Sequence, residues 1–194
     1  MTRAGRAVKR LIDVAASGAA LLAGWPVLAA IAILIRRESP GPAIFRQERA
    51  GRGMKPFTMY KFRTMRAGGD LFGASPASPE DARLTPVGRR LRESSLDELP
   101  QLWNVLRGDM SLVGPRPLYM SQAREFTERE RRRLEVRPGL TGLAQIQGRG
   151  EIPHKEKLQI DVQYVERQSL ALDFRILWRS AARLFVRKDV YQKW

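Results

Sequence analysis

The chain has 194 residues, enough for one domain with a real core, and 43% of them are hydrophobic, which excludes a compositionally disordered protein. Lys and Arg number 35 against 20 Asp and Glu, a formal charge of +15, so the chain needs an anionic partner or surface: nucleic acid, anionic lipid or a phosphorylated substrate. The absence of Cys and the presence of a single His, His154, exclude disulfides, thiol catalysis, Cys-ligated zinc and His-clustered metal sites, which leaves carboxylates, Arg and Lys to carry any chemistry.

Residues 14–35 carry no charge and are dense in Ala, Leu, Ile and Val. A helix of that length is about 33 Å long, the hydrocarbon thickness of a bilayer. The run exceeds the h-region of a signal peptide, and basic, structured sequence follows it. Lys9 and Arg10 precede the run and Arg36 and Arg37 follow it, and positive charge favours the cytoplasmic side at both ends. Near its middle stands Gly24-Trp25-Pro26, where Pro26 removes a backbone donor and predicts a bend. A re-entrant hairpin turning at Pro26 satisfies both basic flanks; a straight span satisfies one. Asp13 is expected near the headgroups, paired with Lys9 or Arg10. This divides the chain into a membrane segment over residues 1–38 and a cytosol-facing catalytic unit over residues 39–194.

After the breaker Ser39-Pro40-Gly41-Pro42 the period changes. Residues 44–47 and 56–63 read as strands joined through Ala50-Gly51-Arg52-Gly53, with Phe57, Met59, Lys61 and Arg63 on one face, so that Lys61 and Arg63 point together. Residues 68–86 read as a loop, 87–93 as a basic helix, and another helix starts near Asp97 and runs through Leu106. Further helices are expected over 125–135, stopped by Pro138-Gly139, over 155–168, and over 170–186. In the last, Arg175, Arg179, Arg183 and Arg187 repeat every four residues, with Leu177, Trp178, Ala181, Leu184 and Phe185 as the apolar face. Such a helix either lies in the membrane interface or packs on a core with a solvated basic face. The fold class is therefore mainly α with a small β-hairpin (α+β), without internal repeat.

The segment Ser94-Ser95-Leu96-Asp97-Glu98-Leu99-Pro100-Gln101 concentrates the chemistry. Pro100 suits the first turn of a helix, which puts Asp97 at or near the N-cap, and Ser95-x-x-Glu98 has the form of a capping box. Capping alone is one reading. The other is a carboxylate acting on phosphate: helix starts bind phosphate, Arg89, Arg90 and Arg92 lie upstream, and Gly114-Pro115-Arg116-Pro117 aims one Arg downstream. Adjacent helical residues point about 100° apart, so one of Asp97 and Glu98 would attack phosphorus while the other holds a metal or orients its partner. Mg²⁺ suits two carboxylates plus phosphate oxygens, and Arg forks suit the remaining oxygens.

At these residues the sequence resembles the bacterial sugar transferases, the monotopic phosphoglycosyl transferases, over about residues 8–173. The blocks are Lys9-Arg10-x-x-Asp13, Tyr60-Lys61-Phe62-Arg63-Thr64-Met65, Ser95-Leu96-Asp97-Glu98-Leu99-Pro100-Gln101-Leu102, Gly108-Asp109-Met110-Ser111, Gly114-Pro115-Arg116-Pro117 and Arg137-Pro138-Gly139-Leu140-Thr141-Gly142. The resemblance implies a re-entrant helix in the cytoplasmic leaflet of a bacterial inner membrane, broken at Pro26, with interfacial amphipathic helices. It implies that Asp97 of the Asp97-Glu98 dyad attacks the β-phosphate of a UDP-sugar, releases UMP and holds the phosphosugar until polyprenyl (undecaprenyl) phosphate takes it. Mg²⁺ is the implied cofactor, with Asp97 and Glu98 as its ligands. Arg116 matches the phosphate-handling Arg, and Lys61, Arg92, Arg137, Arg149 and Asp161 match further substrate or phosphate positions, for which salt bridges organising the site are the other reading. Trp25 departs from the Ser usual before the breaking proline. The larger members' preceding spanning helices are expected to be missing. Residues 148–157 are the candidate for sugar choice, and no pattern specifies the sugar or an oligomeric state. No nucleic-acid reading motif is present, so nucleic acid is not an expected partner.

Overall fold

In the computed structural model, residues 1–66, 76, 78–148 and 152–184 are described. The uncharged N-terminal run forms the middle of one helix, α1 (Arg3–Glu38), opened by Thr2, whose hydroxyl accepts from the Gly5 N–H at 3.1 Å. Helical conformation continues through Pro26, so α1 is one element and not two segments separated at the proline. A single proline removes one donor, and the Ala- and Leu-rich turns on either side carry the helix past it. By length and composition α1 is able to cross a membrane.

Both ends of α1 dock on the rest of the protein. Near its start, Asp13 and Ser17 are buried, Asp13 Oδ1 accepts from the Leu112 N–H at 3.1 Å, and the Arg10 guanidinium donates to the Val105 and Leu106 carbonyls at 2.6 and 2.9 Å. Asp13 is thus buried in the protein and pairs with Lys9 at 4.0 Å, one of the two partners expected for it. A partly buried backbone donor in the middle of a short strand needs an acceptor, and this carboxylate supplies it. Near its end, Ile31 and Ile35 join a core cluster with Ala43, Phe62 and Leu91, and the Glu38 carboxylate accepts from the Val87 N–H. Between these anchors Leu22, Trp25 and Val27 are exposed, Leu22 at 79%.

The hairpin follows as expected: β1 (Ile44–Ala50) pairs antiparallel with β2 (Pro56–Phe62), from Ile44 opposite Phe62 to Ala50 opposite Pro56. Lys61 and Arg63 do not point to one place. The ladder ends at Phe62, and Arg63 turns back to donate to the Ser39 and Pro40 carbonyls at 2.7 and 2.6 Å. After α2 (Pro86–Glu93), capped by Thr85, comes α3 (Gln101–Arg107). Its fully buried Asn104 accepts from the Tyr60 N–H at 3.1 Å and donates to the Thr58 carbonyl at 2.7 Å, which covers the outer edge of β2.

A second, parallel pair was not expected: β3 (Ser111–Val113) lies beside β4 (Gly139–Thr141). It brings the Gly114-Pro115-Arg116-Pro117 and Pro138-Gly139 segments into backbone contact. A Cβ on Gly114 would stand 2.4 Å from the Arg137 carbonyl, and one on Gly139 would stand 2.1 Å from the Gly114 nitrogen. The expected helix over 125–135 is instead α4 (Met120–Arg124), then α5 (Glu128–Arg131) continued as a tighter turn to Glu135. Thr127 sets the boundary by accepting from the Glu130 N–H while the Glu130 carboxylate accepts from the Thr127 N–H, a capping box legible in Thr127-x-x-Glu130.

The short α6 (Leu143–Gly148) was also not expected; α7 (His154–Arg167) and α8 (Leu170–Leu184) were. Ile176 of α8 packs with Val113, Ile146 and Tyr164, and the Tyr164 hydroxyl donates to Asp173 Oδ1 at 2.7 Å. Trp178 is not on this packed face: with Phe174 it forms an exposed aromatic ridge beside the exposed Arg175 and Arg179. The Arg183 side chain and residues Phe185 and Arg187 lie outside the described residues.

Candidate active site

The dyad is presented by a tight turn. α2 ends at Ser94, Ser95 adopts a left-handed conformation with φ 57°, and Leu96–Glu98 form a single 3-10 turn before Pro100 begins α3. Ser95 makes no side-chain capping bond, so Asp97 is not the N-cap of a helix, nor is Ser95-x-x-Glu98 a working capping box. The position before the helix proper belongs to Pro100, because a proline has no N–H to bond backwards into a preceding turn. A non-glycine residue at positive φ costs energy, and here it reverses the chain so that the carboxylates face the hairpin.

The two carboxylates have different surroundings. Glu98 Oε1 accepts from Lys61 Nζ at 2.7 Å and from the Arg116 guanidinium at 2.9 Å. Burial alone would raise its pKa; the Arg116 and Lys61 charges outweigh this and hold Glu98 well below the usual carboxylate range. Asp97 is 8% exposed, and no described residue donates a hydrogen bond to it. Burial, opposed by Lys61 and reinforced by the negative Glu98, pushes Asp97 up to about 6. One carboxylate is therefore neutralised and fixed, and the other is left with its oxygens uncommitted.

Of the expected site residues, the structure brings Lys61, Arg116 and Arg92 to the dyad. Lys61 arrives on β2. Arg116 is 45% exposed in its side chain and comes from the loop after β3. The Arg92 Nε donates to Thr64 Oγ1 at 2.9 Å, and its charge acts on Asp97. Arg89 and Arg90 are exposed on the far side of α2. Asp161 sits one layer behind: it is buried and paired with Arg133 at 2.6 Å, and Arg133 in turn donates to the Arg116 carbonyl at 2.7 Å. Arg137 is not at the dyad; its Nε donates to the Gly108 carbonyl at the opposite end of α3. Arg149 lies outside the described residues.

Two residues near the dyad escape a reading of the sequence. Arg133 is one of three consecutive arginines, and nothing in Arg131-Arg132-Arg133 marks the middle layer's member. Arg49 stacks on the Tyr119 ring at 3.6 Å and adds positive potential beside Glu98 and Arg116. Its alternation with Gln47 on the inward face of β1 was the available signal, since both face the side that Lys61 faces from β2.

Among the described residues no group of three or more His, Asp or Glu stands together. A divalent ion at the dyad would have two protein carboxylates at most. That donor set fits Mg²⁺, which takes one or two carboxylates and completes its shell with substrate phosphates and water.

The model of the family described as bacterial sugar transferase matches residues 4–187. The chain is 43% identical to the uncharacterized sugar transferase EpsL of Bacillus subtilis, covering 95% of this chain and 91% of that protein. It is 43% identical to the UDP-glucose:undecaprenyl-phosphate glucose-1-phosphate transferase of Xanthomonas campestris pv. campestris over 94% of this chain, spanning 40% of that relative's length. The enzyme of the same name from Caulobacter vibrioides is 42% identical over 94% of this chain and is covered to 72%. The chain belongs to the bacterial sugar transferase family.

Proposed function

We propose that this protein transfers a sugar 1-phosphate from a UDP-sugar to undecaprenyl phosphate at the cytoplasmic face of a bacterial inner membrane, as a first membrane step of glycoconjugate assembly. The observation that carries the reading is the unequal dyad: Asp97 uncommitted and ionising near neutrality, Glu98 locked between Lys61 and Arg116. Two relatives named for this reaction with UDP-glucose support the substrate class, and they make UDP-glucose the first donor to test.

In this reading an Asp97 oxygen attacks the β-phosphorus, the bond to the bridging oxygen breaks, and UMP leaves with that electron pair. The phosphosugar remains on Asp97 as an acyl phosphate. A phosphate oxygen of the acceptor lipid then attacks the same phosphorus, the Asp97 carboxylate leaves, and the lipid diphosphate sugar is formed. Arg116, Arg92 and Lys61 hold the diphosphate oxygens and offset the charge that two anions bring together. Mg²⁺, held by Asp97 and the free Glu98 oxygen, would supply further charge neutralisation on the phosphates. Half-exposed Arg116 is placed to receive the donor, and Arg133 with Asp161 fixes the backbone from which it reaches.

Docking of both α1 ends on one body, with Leu22, Trp25 and Val27 exposed between them, supports a re-entrant segment entering one leaflet. The aromatic ridge Phe174 and Trp178 beside Arg175 and Arg179 supports an interfacial α8. The test is UMP release from a panel of UDP-sugars, with and without polyprenyl phosphate. Acceptor-dependent turnover on one donor supports the reading; no turnover on any donor, or steady turnover without acceptor, opposes it.

A further inference from the structure

The C-terminal end of α3, away from the dyad, borders a cavity of about 50 Å³ walled by Arg6, Lys9, Arg10, Arg52 and Arg137, with Asp13 and Glu135 as its carboxylates. Most of these groups are engaged. Arg10 caps α3 through the Val105 and Leu106 carbonyls, Lys9 pairs with Asp173 at 2.8 Å, Arg6 donates to the Met1 carbonyl, and Glu135 lies 3.5 Å from Arg132. Asp13 is occupied by the Leu112 N–H. Two cations keep free donors. Arg137 spends only its Nε, on the Gly108 carbonyl, and the Arg52 side chain, exposed in the turn between β1 and β2, makes no hydrogen bond or ion pair among the described residues. Burial first, then the Arg10 and Arg52 charges, lower the Arg137 pKa, with Asp13 opposing them.

The position of the cavity narrows what would fill it. On α1, Arg6, Lys9, Arg10 and Asp13 share one face, at spacings of three and four, while Val8, Leu11 and Ile12 lie on the opposite face and are exposed, Leu11 at 69%. A helix with that division rests apolar side down at the boundary of acyl chains and headgroups, which sets its cationic face level with the lipid phosphates.

We infer that this cavity binds the phosphate group of a membrane lipid with net negative charge, held by the free donors of Arg137 and Arg52, as an anion site separate from the dyad. The expected phosphate-binding role of Arg137 then applies here, on the far side of α3. The inference goes beyond the transferase reading and needs no UDP-sugar to test.

The full chain is reconstituted in phosphatidylcholine nanodiscs carrying a few mole per cent of phosphatidylglycerol, of polyprenyl phosphate, or of both, and retained lipid is counted by native mass spectrometry. The wild type is expected to keep one anionic lipid beyond the zwitterionic phosphatidylcholine background. Arg52→Ala and Arg137→Gln should each lower retention by about fivefold. Arg129→Ala, an exposed charge on α5, should leave it unchanged. Arg52→Ala removes no side-chain hydrogen bond or ion pair among the described residues, so it remains informative if Arg137→Gln proves unstable. Displacement of phosphatidylglycerol by polyprenyl phosphate identifies the acceptor lipid as the occupant, and lack of displacement identifies the phospholipid; either agrees with the site. Retention by both variants equal to that of Arg129→Ala, or a wild type that keeps neither lipid, overturns it.

Discussion

Lys61 Nζ lies 2.7 Å from Glu98 Oε1, a contact that joins the β-hairpin to the turn before α3 and makes the hairpin part of the proposed active site. Because Arg116 shares the same oxygen, the three groups act as a unit. Lys61→Met and Glu98→Gln should each lower kcat for UMP release by about 10²–10³, and the double variant should be little worse than the worse single one. A double-mutant cycle measures this, and losses that simply multiply would speak against a shared role.

The pH profile follows from Asp97. In the proposed mechanism attack on phosphorus needs the Asp97 carboxylate, and burial moves its ionisation to about 6. In the free enzyme kcat/KM should therefore fall tenfold per pH unit below about 6, while Glu98, held low by Arg116 and Lys61, stays ionised throughout. Steady-state kinetics between pH 4.5 and pH 8 test this; a flat profile through pH 6 would remove Asp97 from the attacking role.

The same shift carries a stability cost with a definite sign. The folded-state pKa of Asp97 is raised from 3.8 to about 6, so its favourable contribution is present below about pH 3.8 and is lost as pH rises through 6. Above that, the ionised buried carboxylate costs about 3 kcal/mol. Asp97→Asn should therefore be more stable than the wild type at pH 7.5, with the gain disappearing near pH 4. Thermal unfolding at the two pH values decides it, and an Asn variant less stable at pH 7.5 would contradict the assignment.

Behind the dyad, the buried Arg133–Asp161 pair should be costly to break. Asp161→Ala leaves the guanidinium buried without its partner, and a loss of about 3–5 kcal/mol is expected in chemical denaturation. Removing both charges with Arg133→Met and Asp161→Leu should restore much of the stability. It should still raise KM for the donor, because nothing then holds the Arg116 carbonyl.

The chain contains no cysteine, so single introduced thiols report topology cleanly. Thr2→Cys and Pro40→Cys are both exposed positions flanking α1 and should label from the cytoplasmic side only, with Leu22→Cys protected by lipid. Labelling of Thr2→Cys and Pro40→Cys from opposite sides would make α1 a straight span.

The sequence carried the elements whose signals are local. The hairpin, α2, α7 and α8 all follow from period and breaker residues, and the dyad, Lys61, Arg92 and Arg116 are gathered as their motifs imply. What was not legible depends on contacts distant in the chain. The parallel pairing of β3 with β4 needs Gly114 and Gly139 pressed together, which no three-residue strand announces. The pairing of Asp13 with Lys9 was legible, but its bond to the Leu112 N–H, 99 residues away, was not. Arg63 read as a neighbour of Lys61 by strand alternation, until the strand ended one residue earlier and the side chain went to Ser39 and Pro40. Asp97 read as a helix cap for a similar reason: Pro100 fits a first turn, yet Ser95 at positive φ turns the dyad away from the helix axis.

The central claim is that Asp97 carries the phosphosugar, and intact-protein mass spectrometry after incubation with the preferred UDP-sugar, without acceptor lipid, tests it most directly. The wild type should gain the mass of one hexose phosphate or its N-acetylated equivalent, shed it on addition of polyprenyl phosphate, and map it to the peptide containing Asp97, while Asp97→Asn gains nothing and releases no UMP. An adduct on Asp97→Asn, or acceptor-dependent turnover by that variant near the wild-type rate, would contradict the account.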